Sequence, residues 1–393
     1  MKVLLINEFN TMGGTEIQSK REINMMRKRG HDYYYLTFDP YVDPKTLEDK
    51  FYNIPIDFSN NQKIKHRMFT SHKYSEMISK IIEEINPDVI HINNLFSVPL
   101  DVYKCVAKYP TFQTIRDFAA VCPKSTCIFD DYSACLGYKH HSCKECTNGM
   151  ALKFKLMALK KINKARLASV NQFICPSQAL SDVCTNNGLP TKCVNNQFDF
   201  SIIKKEEITY NSKTFMYYGK ISKEKGVNQL VDAFNKICEE TKEYKLIFIG
   251  GVDKPYEEEF NSLIKDNPNI SYLGKKSNSE IMEIYKDIYC VIVPSLWLEN
   301  YPNTVLESIA NKTLVIGSNR GGIPELIGNS DLLFDITKED DLYHKIQYVI
   351  NLDKDKYIEF VEDRYNFIKE NNSSDTYCMR LENIMKDIIN NLL

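Results

Sequence analysis

No stretch of this 393-residue chain reaches the roughly 20 apolar residues that a membrane-spanning helix needs. The opening MKVLLINEFN turns polar after a short apolar run and reads as neither a secretory leader nor an anchor. A cytoplasmic protein is therefore expected, meeting the inner face of the plasma membrane, if at all, from the side. An excess of one charge is also missing: Lys+Arg 50 against Asp+Glu 52 leaves a formal net charge of -2. No global field invites nucleic acid, and attraction to anions must come from local clusters. The dinucleotide fingerprint G-x-G-x-x-G is lacking too. The first glycine-rich loop reads T-M-G-G-T-E instead, which disfavours a nicotinamide enzyme.

What is present is alternation. The apolar run at residues 3–6 lacks polar interleaving and reads as a buried parallel strand, and further strands are read at 33–38, 88–93, 111–115 and 172–175. Helical material lies between them, from about Thr15 to Arg29 and from His72 to Ile85. The pattern restarts after Asn211, with strands at 214–218, 245–249, 270–273, 290–293, 314–316 and 332–333 and an amphipathic helix at 227–238. A chain of this length exceeds one ordinary core, so two doubly wound α/β domains are expected. The boundaries are placed at 1–205 and 206–370, with 371–393 as a C-terminal helix.

Residues 297–307, WLENYPNTVLE, carry the most chemistry. Asn300, Pro302, Asn303 and Thr304 supply a helix start between Glu299 and Glu307, with Pro302 in the first turn where a missing amide costs little. Both carboxylates then face one cleft, and the early amides of the helix, near Asn303, Thr304 and Val305, point at an incoming anion. Read without context, the same residues make a surface helix with two unrelated acids.

This undecapeptide resembles the signature of glycosyltransferase family 4, the retaining, nucleotide-sugar-dependent enzymes of the bacterial surface-polysaccharide type. The resemblance implies the GT-B fold: two Rossmann-like domains facing across a cleft, with the last helix crossing back to the first domain. It implies that Glu299 contacts the donor sugar, that the amides of Asn303, Thr304 and Val305 hold the distal phosphate, and that Glu307 binds the ribose.

Further matches extend the resemblance. GKISKEKG, residues 219–226, follows a strand and brackets a loop with Lys220 and Lys225, point charges suited to a pyrophosphate at a helix start. The family usually has arginine where Lys220 stands. SNRGGIPELI, residues 318–327, places Gly321 and Gly322 at the donor end of the cleft, and Gly14 is the expected contact from the first domain. On the acceptor side the chain reads T-I-R-D, residues 114–117, so Arg116 stands where many members have histidine. Arginine cannot act as a base near neutral pH, but it can stabilise charge on a departing pyrophosphate. His91 ends a strand and reads either as a core histidine or as an acceptor contact, and Asp117 as an orienting group. Glu299, Arg116 and Lys225 are thus the expected catalytic set. A nucleotide-diphosphate sugar is the expected donor, UDP favoured over GDP, with no catalytic metal.

Cys122, Cys127, Cys135, Cys143 and Cys146 fall in one loop, 122–146, with His140 and His141 among them. Cys122, Cys127, Cys143 and Cys146 form the expected structural zinc set, Cys135 being the substitute, with free thiols and disulfides the other readings. Next comes a helix with Lys153, Lys155, Lys160, Lys161, Lys164 and Arg166 beside a Leu152, Leu156, Leu159 seam. It suits either an anionic membrane surface or a solvated face. The function expected is transfer of a sugar to a saccharide or lipid-linked saccharide acceptor in capsule or lipopolysaccharide synthesis. A catalytically lapsed nucleotide-sugar-binding partner protein is the alternative.

Overall fold

The computed structural model describes the chain apart from Thr11, Met12, Pro44, Thr46, Phe58 and residues 96–98, 136–142, 144–149 and 392–393. It also leaves aside the side chains of Asn60, Asn61, Lys63, Ile64, Ala151 and Leu152.

The chain divides into two compact units, Met1–Gln197 with Ser374–Leu393, and Phe198–Ser373. The sequence placed these divisions at 205/206 and 370/371. They fall instead where the chain passes twice side by side, the Phe198 amide donating to the Asn372 carbonyl at 2.7 Å.

In the first unit β1 (Lys2–Ile6), β2 (Asp32–Thr37), β3 (Phe51–Asn53), β4 (Val89–Ile92), β5 (Thr111–Thr114), β6 (Gln172–Cys175) and β7 (Thr191–Cys193) form one parallel sheet, ordered β3-β2-β1-β4-β5-β6-β7. Its helices are α1 (Gly14–Lys28), α2 (Asn60–Met68), α3 (His72–Ile85), α4 (Pro99–Val106), α5 (Met150–Ser169) and α6 (Gln178–Asn186). Leu4 sits opposite Tyr34 on one side and Ile90 on the other. Val3, Leu4, Leu5 and Ile6 are wholly buried, because helices cover both faces of a parallel sheet.

The second unit repeats the design. Strands β8 (Thr214–Tyr218), β9 (Lys245–Ile249), β10 (Ile270–Tyr272), β11 (Cys290–Val293), β12 (Leu314–Ser318) and β13 (Leu333–Phe334) run parallel in the order β10-β9-β8-β11-β12-β13. The helices are α7 (Val227–Glu240), α8 (Glu257–Ile264), α9 (Asn278–Ile284), α10 (Asn303–Ala310), α11 (Ile323–Ile327), α12 (Asp341–Ile350) and α13 (Lys354–Asn371). β8 has β9 on one side and β11 on the other, so the loops after β8 and β11 leave the sheet at its switch point. Open α/β sheets bind ligands at such a crevice.

The last helix, α14 (Ser374–Asn390), belongs to the first unit. Tyr377, Leu381, Met385 and Ile388 share one cluster with Val3, Leu5, Ile23 and Met26. Glu382 takes a paired contact from Arg29, which caps the end of α1, at 2.8 and 3.1 Å and a third from His31. Arg29 foremost holds the Glu382 carboxyl down to about 2.

Candidate functional site

In the second unit the two switch-point loops are locked together by backbone. The Leu296 amide donates to the Glu224 carbonyl at 3.0 Å. Gly226 has φ 71, and a Cβ there would lie 1.8 Å from the Pro294 carbonyl oxygen. Only glycine fits both the left-handed backbone and the approach. Lys225 just before it is thereby aimed at the loop after β11. Its Nζ lies 2.6 Å from Glu299 Oε1 and 4.1 Å above the Trp297 ring. Ser295 Oγ donates to the same carboxylate oxygen at 2.6 Å. The ion pair is neither buried nor free in water: the Lys225 and Glu299 side chains keep 18% and 14% of their exposure. A charged pair so placed is little screened yet still reachable.

The glycine pair clamps Glu299 from the other side. The Gly322 amide donates to the Glu299 carbonyl at 2.7 Å. Gly321, at φ 58, approaches so closely that a Cβ would meet that oxygen at 2.1 Å. The sequence reading gave these glycines to the donor end of a cleft. Their nearest partner here is the backbone of Glu299 itself.

Pro302 caps α10, and its carbonyl accepts from the Val305 amide at 3.1 Å and the Leu306 amide at 3.2 Å. Val305, expected to offer a phosphate its amide, has therefore spent it inside the first turn. Asn303 and Thr304, two places and one place earlier, carry the amides that precede this bond. Around them lie buried polar atoms with no hydrogen-bond partner among the described residues: Asn303 Oδ1, Trp297 Nε1 and Ser222 Oγ. Buried polar groups are nearly always paired, so these three atoms keep capacity for a polar ligand. Glu307 is half-buried. Burial first, and the Glu307 charge second, push the Tyr218 phenol up to about 12. Lys220 stands apart from this cluster, over half exposed, pairing with Asp253 at 3.0 Å.

The first unit holds the other expected residues. Arg116 donates from Nε to Asn93 Oδ1 at 2.8 Å and from Nη1 to Asn196 Oδ1 at 2.6 Å. His91 is fully buried. Its Nδ1 lies 2.8 Å from Glu22 Oε1 and its Nε2 2.7 Å from Thr114 Oγ1, and its ring stacks on Phe112 at 4.1 Å. With both ring nitrogens engaged, His91 is a core residue behind Thr114, which corrects the acceptor-contact expectation. Asp117 caps a short helical turn, accepting from the Ala119 amide at 2.9 Å, and burial raises its pKa. Gly14 opens α1, and the loop residues Thr11 and Met12 lie outside the described set.

Arg116 and Asp117 also line a cavity of about 850 Å³, closed by α2, α4 and α5. No local pattern signals it, since its walls come from residues as far apart as Arg67 and Arg166. Nor did it single out Ser295 or the chain's one tryptophan as partners of the Lys225 and Glu299 pair. That tryptophan, next but one to Glu299, was the available signal.

Cys122, Cys127, Cys135 and Cys143 are free of disulfides. The described residues contain no group of three or more metal-binding side chains, and Cys146, His140 and His141 lie outside them. The Cys127 thiol hydrogen-bonds to Cys122, and with amides of Lys124, Thr126 and Cys127 it lowers the Cys122 pKa to about 5. No described helix is long and apolar enough to cross a membrane.

A model of the family described as glycosyl transferases group 1 matches residues 199–372. An uncharacterized 42.6 kDa protein in the cps region of Klebsiella pneumoniae is 23% identical over 93% of this chain and 98% of its own. The capsular polysaccharide biosynthesis glycosyltransferase CapM of Staphylococcus aureus is 27% identical over 34% of this chain and 36% of its own. Among solved structures, Anabaena HepE in complex with UDP superposes with a TM-score of 0.73 at 15% identity, covering 98% of this chain and 100% of that one. The chain matches the glycosyl transferases group 1 model over residues 199–372 and is a glycosyltransferase; its fold is GT-B.

Proposed function

We propose that the protein is a retaining glycosyltransferase that takes a sugar from a UDP-sugar on its second unit and passes it to an acceptor held by its first, in surface polysaccharide synthesis. The observation that carries this reading is the cluster at the β8/β11 switch point: Lys225, Glu299, Ser295, Trp297 and the start of α10. A departing UDP carries its new charge on the distal phosphate. Lys225, a compact charge with three N–H donors, and the amides of Asn303 and Thr304 suit that charge. Glu299, held by Lys225 and Ser295, is placed to accept a hydrogen bond from a sugar hydroxyl. The half-buried Glu307 sits four residues beyond Asn303, one turn along α10, with the reach and charge to take a ribose. Retention follows if the acceptor attacks on the face the phosphate leaves, the phosphate oxygen taking the acceptor proton. Arg116, with five N–H donors and no acceptor, then serves charge rather than proton transfer. The Staphylococcus relative's printed capsular role and the cps-region Klebsiella relative support the polysaccharide setting, and HepE with UDP supports the nucleotide.

The test is turnover of a UDP-sugar, scored as UDP release, in wild type and Glu299→Ala. Loss of about 100-fold in rate, of order 3 kcal/mol of barrier, is expected while UDP affinity stays within a few-fold. Unchanged turnover would remove Glu299 from the site. UDP binding with no turnover in the wild type would favour a lapsed binding protein.

A further inference from the structure

Glu22 of α1 is a carboxylate sealed from water, with no exposed surface. A carboxylate in such a place is costly unless it is paired or hydrogen-bonded throughout. His91 Nδ1 lies 2.8 Å from its Oε1, the Tyr377 hydroxyl donates to its Oε2 at 2.9 Å, and the Tyr33 hydroxyl stands 3.5 Å from Oε1. Burial pushes the Glu22 carboxyl up, but His91 foremost, then Tyr377 and the charge of Arg116, bring it below the ordinary value. Glu22 is therefore ionised, and an ionised carboxylate can only accept. His91 accordingly donates from Nδ1, and its Nε2 accepts from the Thr114 hydroxyl at 2.7 Å.

The same Tyr377 hydroxyl takes a hydrogen bond from the Arg116 guanidinium. Arg116 lies just beyond β5, and it also bonds Asn93, just beyond β4, and Asn196, just beyond β7. These are the carboxyl ends of a parallel sheet, the edge at which open α/β units take their ligands. Asn93 is itself anchored, its Nδ2 donating to Ser19 Oγ at 2.6 Å. A planar guanidinium bonded to oxygens from three directions is fixed in its plane. Tyr377 suits the middle of this chain because a phenol accepts and donates at once, linking the cation at the sheet edge to the anion beneath it. A phenylalanine there would pack as well and link nothing.

We infer that Glu22 and Tyr377 are positioning residues for Arg116: the buried carboxylate, through the Tyr377 hydroxyl, fixes where the guanidinium points and supplies its countercharge, so that Arg116 is already ordered when charge develops on the departing phosphate. Donors set in place beforehand stabilise a transition state without reorganisation at the moment of reaction. The inference rests on the proposed glycosyltransferase reading and deepens it. Glu22, having no exposed surface, acts through its neighbours and touches no substrate. The last helix, α14, thereby serves the reaction as well as the core.

The test is a double-variant cycle on the full chain, read both as UDP-sugar turnover and as urea unfolding. Tyr377→Phe keeps the ring that packs with Leu5 and Leu381 and removes the hydroxyl. It is expected to lower kcat about tenfold, or about 1.4 kcal/mol of barrier, with KM for the donor within about twofold. Glu22→Gln, which keeps the shape and removes the charge, is expected to do the same. In an Arg116→Ala background, slower still, each should change kcat by less than about twofold, because nothing is left to position. A simple loss of packing would subtract equally from both backgrounds. Additive losses of kcat, or Tyr377→Phe or Arg116→Ala turning over as the wild type does, overturn the inference and leave the role of Glu299 standing. Tyr377→Phe decides the matter if Glu22→Gln fails to fold. The unfolding midpoints must be non-additive as well. A wild type that binds UDP without turnover sinks the enzymatic reading, and the midpoints then judge the hold on Arg116, additive ones overturning it.

Discussion

Gly321→Ala separates the cost of strain from the cost of moving Glu299. At φ 58 an L-residue pays about 1–2 kcal/mol for its left-handed backbone. The new Cβ would also stand 2.1 Å from the Glu299 carbonyl oxygen and 2.7 Å from its amide nitrogen. Neither is a side-chain tip that can swing away, so the Glu299 backbone must yield, adding about 1–3 kcal/mol of overpacking. Gly274→Ala is the control, because it has φ 73 and nothing within 4 Å of its added Cβ. It should lose about 1–2 kcal/mol and nothing more. Gly321→Ala should lose about 2–5 kcal/mol, and turnover should fall about 100-fold because a displacement near 1 Å is enough to do that. Paired chemical denaturation curves and UDP-release rates measure both quantities. If the two alanine variants melt alike, or if Gly321→Ala turns over within twofold of wild type, the clamp on Glu299 does not exist.

Two other outcomes follow from buried ionisable groups. Lys205 is 5% exposed, bonds Thr313 Oγ1 at 3.1 Å, and burial lowers its pKa from 10.5 to about 8. The unfolded chain holds that proton more tightly, so the penalty is complete below pH 8 and fades as pH rises to 10.5. At ~1.36 kcal/mol per pH unit it is worth about 3 kcal/mol. Lys205→Met should therefore stabilise the protein near pH 7 and lose that advantage by pH 10.5, read as the difference between two urea-unfolding series. Cys122, lowered to about 5 chiefly by the Cys127 thiol, should alkylate with iodoacetamide at pH 6, where ordinary thiols are inert. Peptide mapping should show Cys127→Ala shifting that reactivity to higher pH, and unchanged reactivity would remove Cys127 as its cause.

Strands buried on both faces were legible because their apolar runs are unbroken: 172–175, 214–218 and 245–249 coincide with β6, β8 and β9. The short edge strands β3, FYN, and β7, TKC, were not, since three residues with half-exposed side chains carry no period. Helix α2, NNQKIKHRM, is too polar to announce a buried face. The Lys225 and Glu299 pair spans 74 residues, a distance no local pattern encodes, and was reached only through resemblance of the surrounding motif. Val305 shows the limit of that route. A helix start predicts unspent amides, but which amide is spent depends on the Pro302 carbonyl, and only coordinates give that. His91 looked equally like a core or a contact residue until Glu22, Thr114 and Phe112 enclosed it. The cavity had no signature at all, because its lining is assembled by tertiary packing.

The placement of α14 has a consequence for the order in which the chain can be finished. Tyr377, Leu381 and Met385 fill the core begun by Val3 and Leu5, so β1 waits for a helix translated long after it. Residues 198–373 form a compact unit of their own and can close while that earlier core still lies open on the ribosome. Loss of α14 would thus strike the core around β1 and spare residues 198–373.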